Sequence, residues 1–229
     1  MADSGKAQGA SGIVDLSHVI EHGMTTHKGL PGPHICDYWT REASAANYDD
    51  GSTFQIGRVE MVANTGTYVD SPFHRYAHGK DLSELPLESL ADLDGLVVRQ
   101  PFESGLAIGA DAFSGFDLRG KAVLIHTGWS RFWRTDTYLS GHPFLTEAAA
   151  QSLIDGGVAF VGIDSHNIDD TRGRARPVHT LLLGADIPIG EHMTSFEQLP
   201  DFGFRFSAVP PKIKGMGTFP VRAFAKISR

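Results

Sequence analysis

Apolar positions along the chain form short solid runs in some places and strict alternation in others. Leu96-Val-Val98, Lys121-Ala-Val-Leu-Ile-His-Thr-Gly128 and Val158-Ala-Phe-Val-Gly-Ile163 are runs bounded by glycine or a polar residue, and they predict buried strands. Alternation from Val59 to Asp70 predicts one extended strand, with Val59, Met61, Ala63 and Val69 on one side and Asn64, Tyr68 and Asp70 on the other. Phe202-Gly-Phe-Arg-Phe206 and Phe219 to Ala225 alternate in the same way. Thr146 to Ile154 is the clearest helix, with Thr146 as cap and Gly156-Gly157 as stop, and a short helix is expected near Leu85 to Leu90. Gly29 to Pro33 and Asn47 to Gly51 carry the glycines and prolines of loops.

Polar residues interrupt this pattern where chemistry is expected. Ser71-Pro72 ends the strand after Asp70, because proline has no amide proton for a ladder, and the turn brings His74 back near Asp70. His18 and His22 lie four apart, as do His74 and His78, a spacing that on a helix sets two imidazoles on one face. Neither stretch has other helix signals. Asp164 stands at the exit of an apolar run, with His166 in the loop that follows. Pro177-Val-His179 leads into Leu181 to Leu183, and Ile187-Pro-Ile-Gly leads into Glu191. A carboxylate at the end of an apolar strand needs a partner, since burial otherwise drives it neutral.

The stretch Asn64-Thr-Gly66-Thr67-Tyr68-Val-Asp70-Ser-Pro72-Phe-His74 resembles the signature H-x-G-T-H-x-D-x-P-x-H of the kynurenine formamidase, isatin hydrolase and cyclase group. Gly66, Thr67, Asp70, Pro72 and His74 match; Asn64 and Tyr68 replace two histidines. The resemblance extends from Asp15-Leu-Ser-His18 through His126-Thr-Gly-Trp129-Ser to His179 and Glu191. It implies an α/β fold with a β-rich mixed sheet, a small barrel-like core of the swivelling β/β/α type and flanking helices. It also implies a homodimer and a zinc or manganese centre that activates water against an amide carbonyl. Carried over by position, the ligands fall on Asn64, Tyr68, Asp70, His179 and Glu191, with His74 as general acid/base. Asn64 and Tyr68 are poor zinc donors, which leaves Asp70, His179 and Glu191 for one divalent ion and Tyr68 to donate to a developing oxyanion. Trp39, Phe73, Trp129 and His166 are candidate walls for an aromatic or cyclic amide. A metal-independent cyclase or dehydratase using the Tyr68, Asp70, His74, His179 and Glu191 cluster is the second reading, and a silent small-molecule-binding homologue the third.

Length and composition narrow the context. The 229 residues suit one domain over 13–229 behind a disordered lead-in at 1–12. A net charge of -7 argues against nucleic-acid binding, and Arg172-Gly-Arg174-Ala-Arg176 is too short a basic cluster to alter that. The single cysteine, Cys36, suits a reducing compartment, and no apolar run approaches a membrane span, so a cytoplasmic protein acting on a small molecule is expected.

Overall fold

The structure, a computed structural model, describes residues 12–227, so the lead-in expected at 1–12 lies, apart from Gly12, outside the described residues. Among these the strands are β1 (Gly12–Asp15), β2 (His34–Trp39), β3 (Ile56–Glu60), β4 (Tyr68–Asp70), β5 (Leu93–Arg99), β6 (Ala107–Ile108), β7 (Ala122–His126), β8 (Phe144–Leu145), β9 (Phe160–Ile163), β10 (Ile189–Glu191), β11 (Phe202–Ser207), β12 (Thr218–Pro220) and β13 (Phe224–Ile227). The helices are α1 (Arg41–Ser44), α2 (Glu147–Gly156) and α3 (Pro177–Gly184).

The apolar runs become the parallel centre of a nine-stranded sheet ordered β1-β13-β11-β5-β7-β9-β10-β4-β12. Parallel strands are covered on both faces, which is why their sequences are solidly apolar. Val123, Ile125, Val161, Ile163 and Ile189 pack with Ala149 and Leu153 of α2 and with Val178 and Leu182 of α3. Ala122, Leu124 and Phe160 point the other way, against Phe204, Phe206, Ala223 and Ala225. The outer strands pair antiparallel.

Chain connectivity forces this sheet to curl. β12 and β13 stand seven strand spacings apart in the sheet order, about 34 Å if the sheet were flat at ~4.8 Å per strand. Only Val221 to Ala223 joins them, a link that spans at most roughly 15 Å. The sheet therefore rolls until its ends meet. The Ser17 hydroxyl donates to Val221 O at 3.2 Å and accepts from Ala223 N at 2.7 Å, and Ser17 also bridges to Met193 beyond β10. The result is the mixed α/β fold with a barrel-like core that the family resemblance implies.

Several local expectations change. Val59 to Asp70 is not one strand: β3 pairs with β2 in a separate two-stranded ribbon, and β4 begins only at Tyr68. Gly66 at φ +66°, with its amide on the Thr26 hydroxyl and Thr65 Oγ1 donating to Val62 O, turns the chain between them. Val59 is consequently exposed while Val69 is buried. The expected helix at 85–90 shrinks to a 3-10 turn, Leu87–Ser89, and the C-terminal alternation splits at the link joining β12 to β13. α2 starts and stops where expected: Thr146 Oγ1 accepts from Ala149 N at 3.2 Å, and Gly157 closes the helix at φ 73°. No helix among the described residues is long and apolar enough to cross a membrane.

Gly95 pairs with Phe204 across β5 and β11, and a β-carbon there would enter the Phe204 ring. Gly95→Ala is expected to cost about 1–3 kcal/mol in urea denaturation, with part of the loss recovered in the Gly95→Ala, Phe204→Leu double variant.

Candidate active site

Tyr68 and Asp70 leave β4 on one face because residues two apart along a strand share a side. Register across three strands supplies their partners. β10 sets Glu191 opposite Tyr68, and β12 sets Thr218 opposite Asp70. The Tyr68 hydroxyl donates to Glu191 Oε2 at 2.6 Å, and the Thr218 hydroxyl donates to Asp70 Oδ1. Ile189, which stands opposite Asp70, lies in the helix-side core, so this polar patch sits beneath α3.

α3 brings in the third group. Pro177 opens the helix, and Asp169 caps it from outside, accepting from Val178 N at 2.8 Å and His179 N at 3.0 Å. The same carboxylate takes the His179 Nδ1 proton at 2.6 Å. That bond fixes the tautomer and leaves His179 Nε2 3.6 Å from both Asp70 Oδ2 and Glu191 Oε1. Glu191 Oε1 is also bonded to Ile168 N at 2.7 Å, whereas Asp70 Oδ2 is buried with no hydrogen-bond partner.

Three carboxylates thus surround one imidazole away from water. Burial alone would lower the His179 pKa, but Glu191, Asp169 and Asp70 outweigh it and hold it up to about 10. Burial pushes Glu191 up, with the Asp70 charge adding to it. Burial also works to raise Asp70, yet the neighbouring His179 and His74 and the Thr218 hydrogen bond hold it below the ordinary value. The two gaps at His179 Nε2 match the spacing of a divalent ion's ligands. Ligands about 2.0–2.2 Å from a tetrahedral ion stand roughly 3.3–3.6 Å apart, too far for hydrogen bonds and close to the gaps around His179 Nε2. The carboxylate–histidine bond behind His179 is the usual support for a metal-ligating imidazole. Asp70, His74 and His179 offer ligand atoms within 4.8 Å of one another, and Glu191 Oε1 lies 3.6 Å from His179 Nε2.

His74 stands on the 3-10 turn Pro72–His74 with its side chain about a third exposed. Its Nδ1 is 2.8 Å from Thr218 Oγ1, whose own proton goes to Asp70, so Nδ1–H donates to Thr218 and Nε2 is left as a base. Asn64 is half-buried beside the Tyr68 hydroxyl. Tyr68 itself differs from expectation. Its proton is committed to Glu191 and its oxygen lies 3.0 Å from His27 Nε2, so it is not available to an oxyanion. Burial, followed by the Glu191 and Asp70 charges, pushes its pKa well up and keeps that proton in place.

The other candidates divide. His166 joins His27 and His192 in a second cluster beside Tyr68, and burial lowers His27 to about 4 and His166 to about 3. Phe73 is half-buried next to His74. Trp129 is buried elsewhere, donating to Tyr138 O at 3.1 Å and packing on Phe102 and Phe132; Trp39 lies half-exposed on the ribbon against Phe54. Their observed contacts are with these neighbours and not with the carboxylates. Asp164 accepts from Thr127 N and Gly128 N at 2.8 Å each, so it anchors the loop after β7. Neither His18 and His22 nor His74 and His78 share one helix. His22 bonds Ile35, and His18 stacks on Trp133. Arg172 pairs with Asp170, and Arg176 binds backbone carbonyls of its own loop. Sequence reasoning missed Thr218, Asp169, His27 and His192. Only Thr218 had a signal, as the polar residue opening an alternating run.

The sequence model of the family described as "Putative cyclase" matches residues 14–170. The kynurenine formamidase of Geobacillus thermodenitrificans is 28% identical over 212 residues, covering 92% of this chain and 95% of that one. Isatin hydrolase A from Labrenzia aggregata, solved bound to benzyl benzoate, superposes with a TM-score of 0.81 at 22% identity, over 99% of this chain and 97% of that one. A "predicted metal-dependent hydrolase" from Bacillus stearothermophilus gives 0.72 at 25% identity, over 94% and 98%.

Because the folded state holds the His179 proton up to about pH 10 and an unfolded histidine loses it near 6.5, its stabilisation is complete below about pH 6.5 and disappears as pH rises through about 10. Chelator-treated protein is expected to lose stability across that window in urea titrations. His179→Gln is expected to flatten the slope.

Proposed function

The chain belongs to the cyclase family, and from that premise we propose that it hydrolyses a small aromatic or cyclic amide, cleaving a carbon–nitrogen bond outside peptides, with one zinc or manganese ion held by Asp70, His179 and Glu191. The observation that carries this is the buried, unpartnered Asp70 Oδ2 standing 3.6 Å from a His179 Nε2 that faces Glu191 at the same distance. Relatives that match along nearly the whole chain are named kynurenine formamidase, which supports an N-formyl arylamine as the substrate class. Bound there, the ion supplies a Lewis acid that polarises a carbonyl and makes water acidic enough to attack near neutral pH.

The protein's own groups carry the protons. His74 Nε2, at the rim and not engaged by Thr218, takes a proton from the attacking water as its oxygen bonds to the carbonyl carbon. The resulting imidazolium keeps Nδ1–H on Thr218, whose proton rests on Asp70, so a buried carboxylate stabilises it through one hydroxyl. When the C–N bond breaks with its electron pair on nitrogen, His74 returns the proton there. A carboxylic acid, formic acid for a formamide, and an amine leave. Asp169 holds the His179 ring, and the Glu191–Tyr68 bond holds the carboxylate that faces it.

A homodimer in the cytoplasm completes the reading. The β2–β3 ribbon exposes Ile35, Tyr38, Trp39, Ile56 and Val59, apolar surface of the kind a second copy covers, and the lone Cys36 suits a reducing compartment.

Purified protein assayed on N-formyl arylamines and isatin is expected to lose turnover on chelation and regain it with zinc or manganese. His74→Ala is expected to lower kcat by about 10²–10⁴-fold with KM nearly unchanged. Asp70→Asn is expected to lose both the ion and activity. Turnover that survives chelation and Asp70→Asn would instead favour acid–base chemistry without metal.

A further inference from the structure

We propose that His27, His166 and His192 form a second metal site, for a borderline divalent transition ion such as Zn²⁺, bound by three neutral imidazoles on the far side of the Tyr68 hydroxyl from Glu191. The three rings come from separate loops, before β2, after β9 and after β10, and their centroids are 5.0–5.5 Å apart. Each offers a nitrogen, and the three atoms lie within 4.8 Å of one another. An ion centred among them would stand at most about 2.8 Å from each, so Zn–N bonds of ~2.0–2.1 Å ask each ring to move by roughly 0.7 Å.

Two independent features point to an ion and not to ordinary packing. His166 is 7% exposed and His192 is fully buried, yet His166 Nδ1 and His192 Nε2 have no hydrogen-bond partner. Leaving such buried atoms unpaired is costly, and two in one cluster is a poor outcome for a core without a ligand. Tyrosines also hold the remaining nitrogens. His192 Nδ1 lies 2.9 Å from the Tyr138 hydroxyl, and His27 Nε2 lies 3.0 Å from that of Tyr68. Since Tyr68 gives its proton to Glu191, His27 Nε2 donates to the Tyr68 oxygen, which in the neutral ring leaves the lone pair on Nδ1.

The donor chemistry separates this site from the one at Asp70. Three neutral ligands leave an ion its full double charge, whereas Asp70 and Glu191 neutralise theirs. His27 is only partly buried, which gives the cluster a way in from solvent. Three imidazoles with a fourth position open is a donor set that zinc accepts readily.

Metal-stripped full-length protein titrated with Zn²⁺ by calorimetry and with Co²⁺ by visible absorption tests this, with circular dichroism to confirm folding. Two equivalents per chain are expected. His166→Gln should leave one and weaken the other by at least 100-fold, and the partly exposed His27→Gln, the less disruptive change, should do the same. Asp70→Asn should remove the complementary equivalent. A single equivalent lost in His166→Gln but kept in Asp70→Asn supports the three-histidine site and removes the function proposed above. A single equivalent indifferent to His27→Gln and His166→Gln, or no binding at all, overturns the proposal.

Discussion

Three carboxylates around one imidazole, in a place water does not reach, is the constraint that the site is built to satisfy. Asp70, Asp169 and Glu191 repel one another at low dielectric, and positive charge on His179 makes their burial more tolerable. Two of the three are also tied down by neutral donors: Asp169 by the first turn of α3, Glu191 by Tyr68 and the Ile168 amide. Asp70 is the exception. One of its oxygens goes to Thr218 and the other is left unpaired, the atom on which the proposed cation site rests.

The curl of the sheet makes this arrangement possible. Because the link joining β12 to β13 is so short, the end of the sheet that carries β4 and β12 rolls toward the end that carries β1, and the polar face of β4 is enclosed instead of being left at a wet edge. α3 then lies over that face with its first turn pointing His179 inward. The distance from His179 to Glu191 in sequence is the length of that helix, a turn at Ala185–Pro188 and the strand β10. Local geometry and global closure therefore meet at the same few atoms.

Much of this was readable from residue order, and the parts that were not have specific causes. The buried strands were visible because parallel strands covered on both faces have no polar side, and α2 because Thr146 and Gly157 sit where a cap and a stop belong. The single strand expected from Val59 to Asp70 failed because Gly66 adopts a left-handed conformation and the two halves join different sheets, while the alternation of residues ran on through the turn. The resemblance pointed to Asp70, His179 and Glu191, which the fold brings together. It carried no information on Asp169, an acid in an otherwise unremarkable loop. His27 and His192 were equally opaque: no period links them, and His192 reaches its place through a backbone at φ 54°. Trp129 shows the opposite error, since an aromatic beside a familiar motif packs on Phe102 and Phe132 and bonds the Tyr138 carbonyl.

The replacements at Asn64 and Tyr68 gain meaning in this setting. Tyr68 stands on the same face of β4 as Asp70 and spans from Glu191 to His27, so it ties the carboxylate site to the histidine cluster through one hydroxyl. The account rests on a cation seated between Asp70 and His179. Anomalous diffraction from crystals equilibrated with manganese addresses that directly: the account predicts a peak within bonding distance of Asp70 Oδ2 and His179 Nε2. An active crystal equilibrated with manganese that shows no anomalous density near either atom would contradict it.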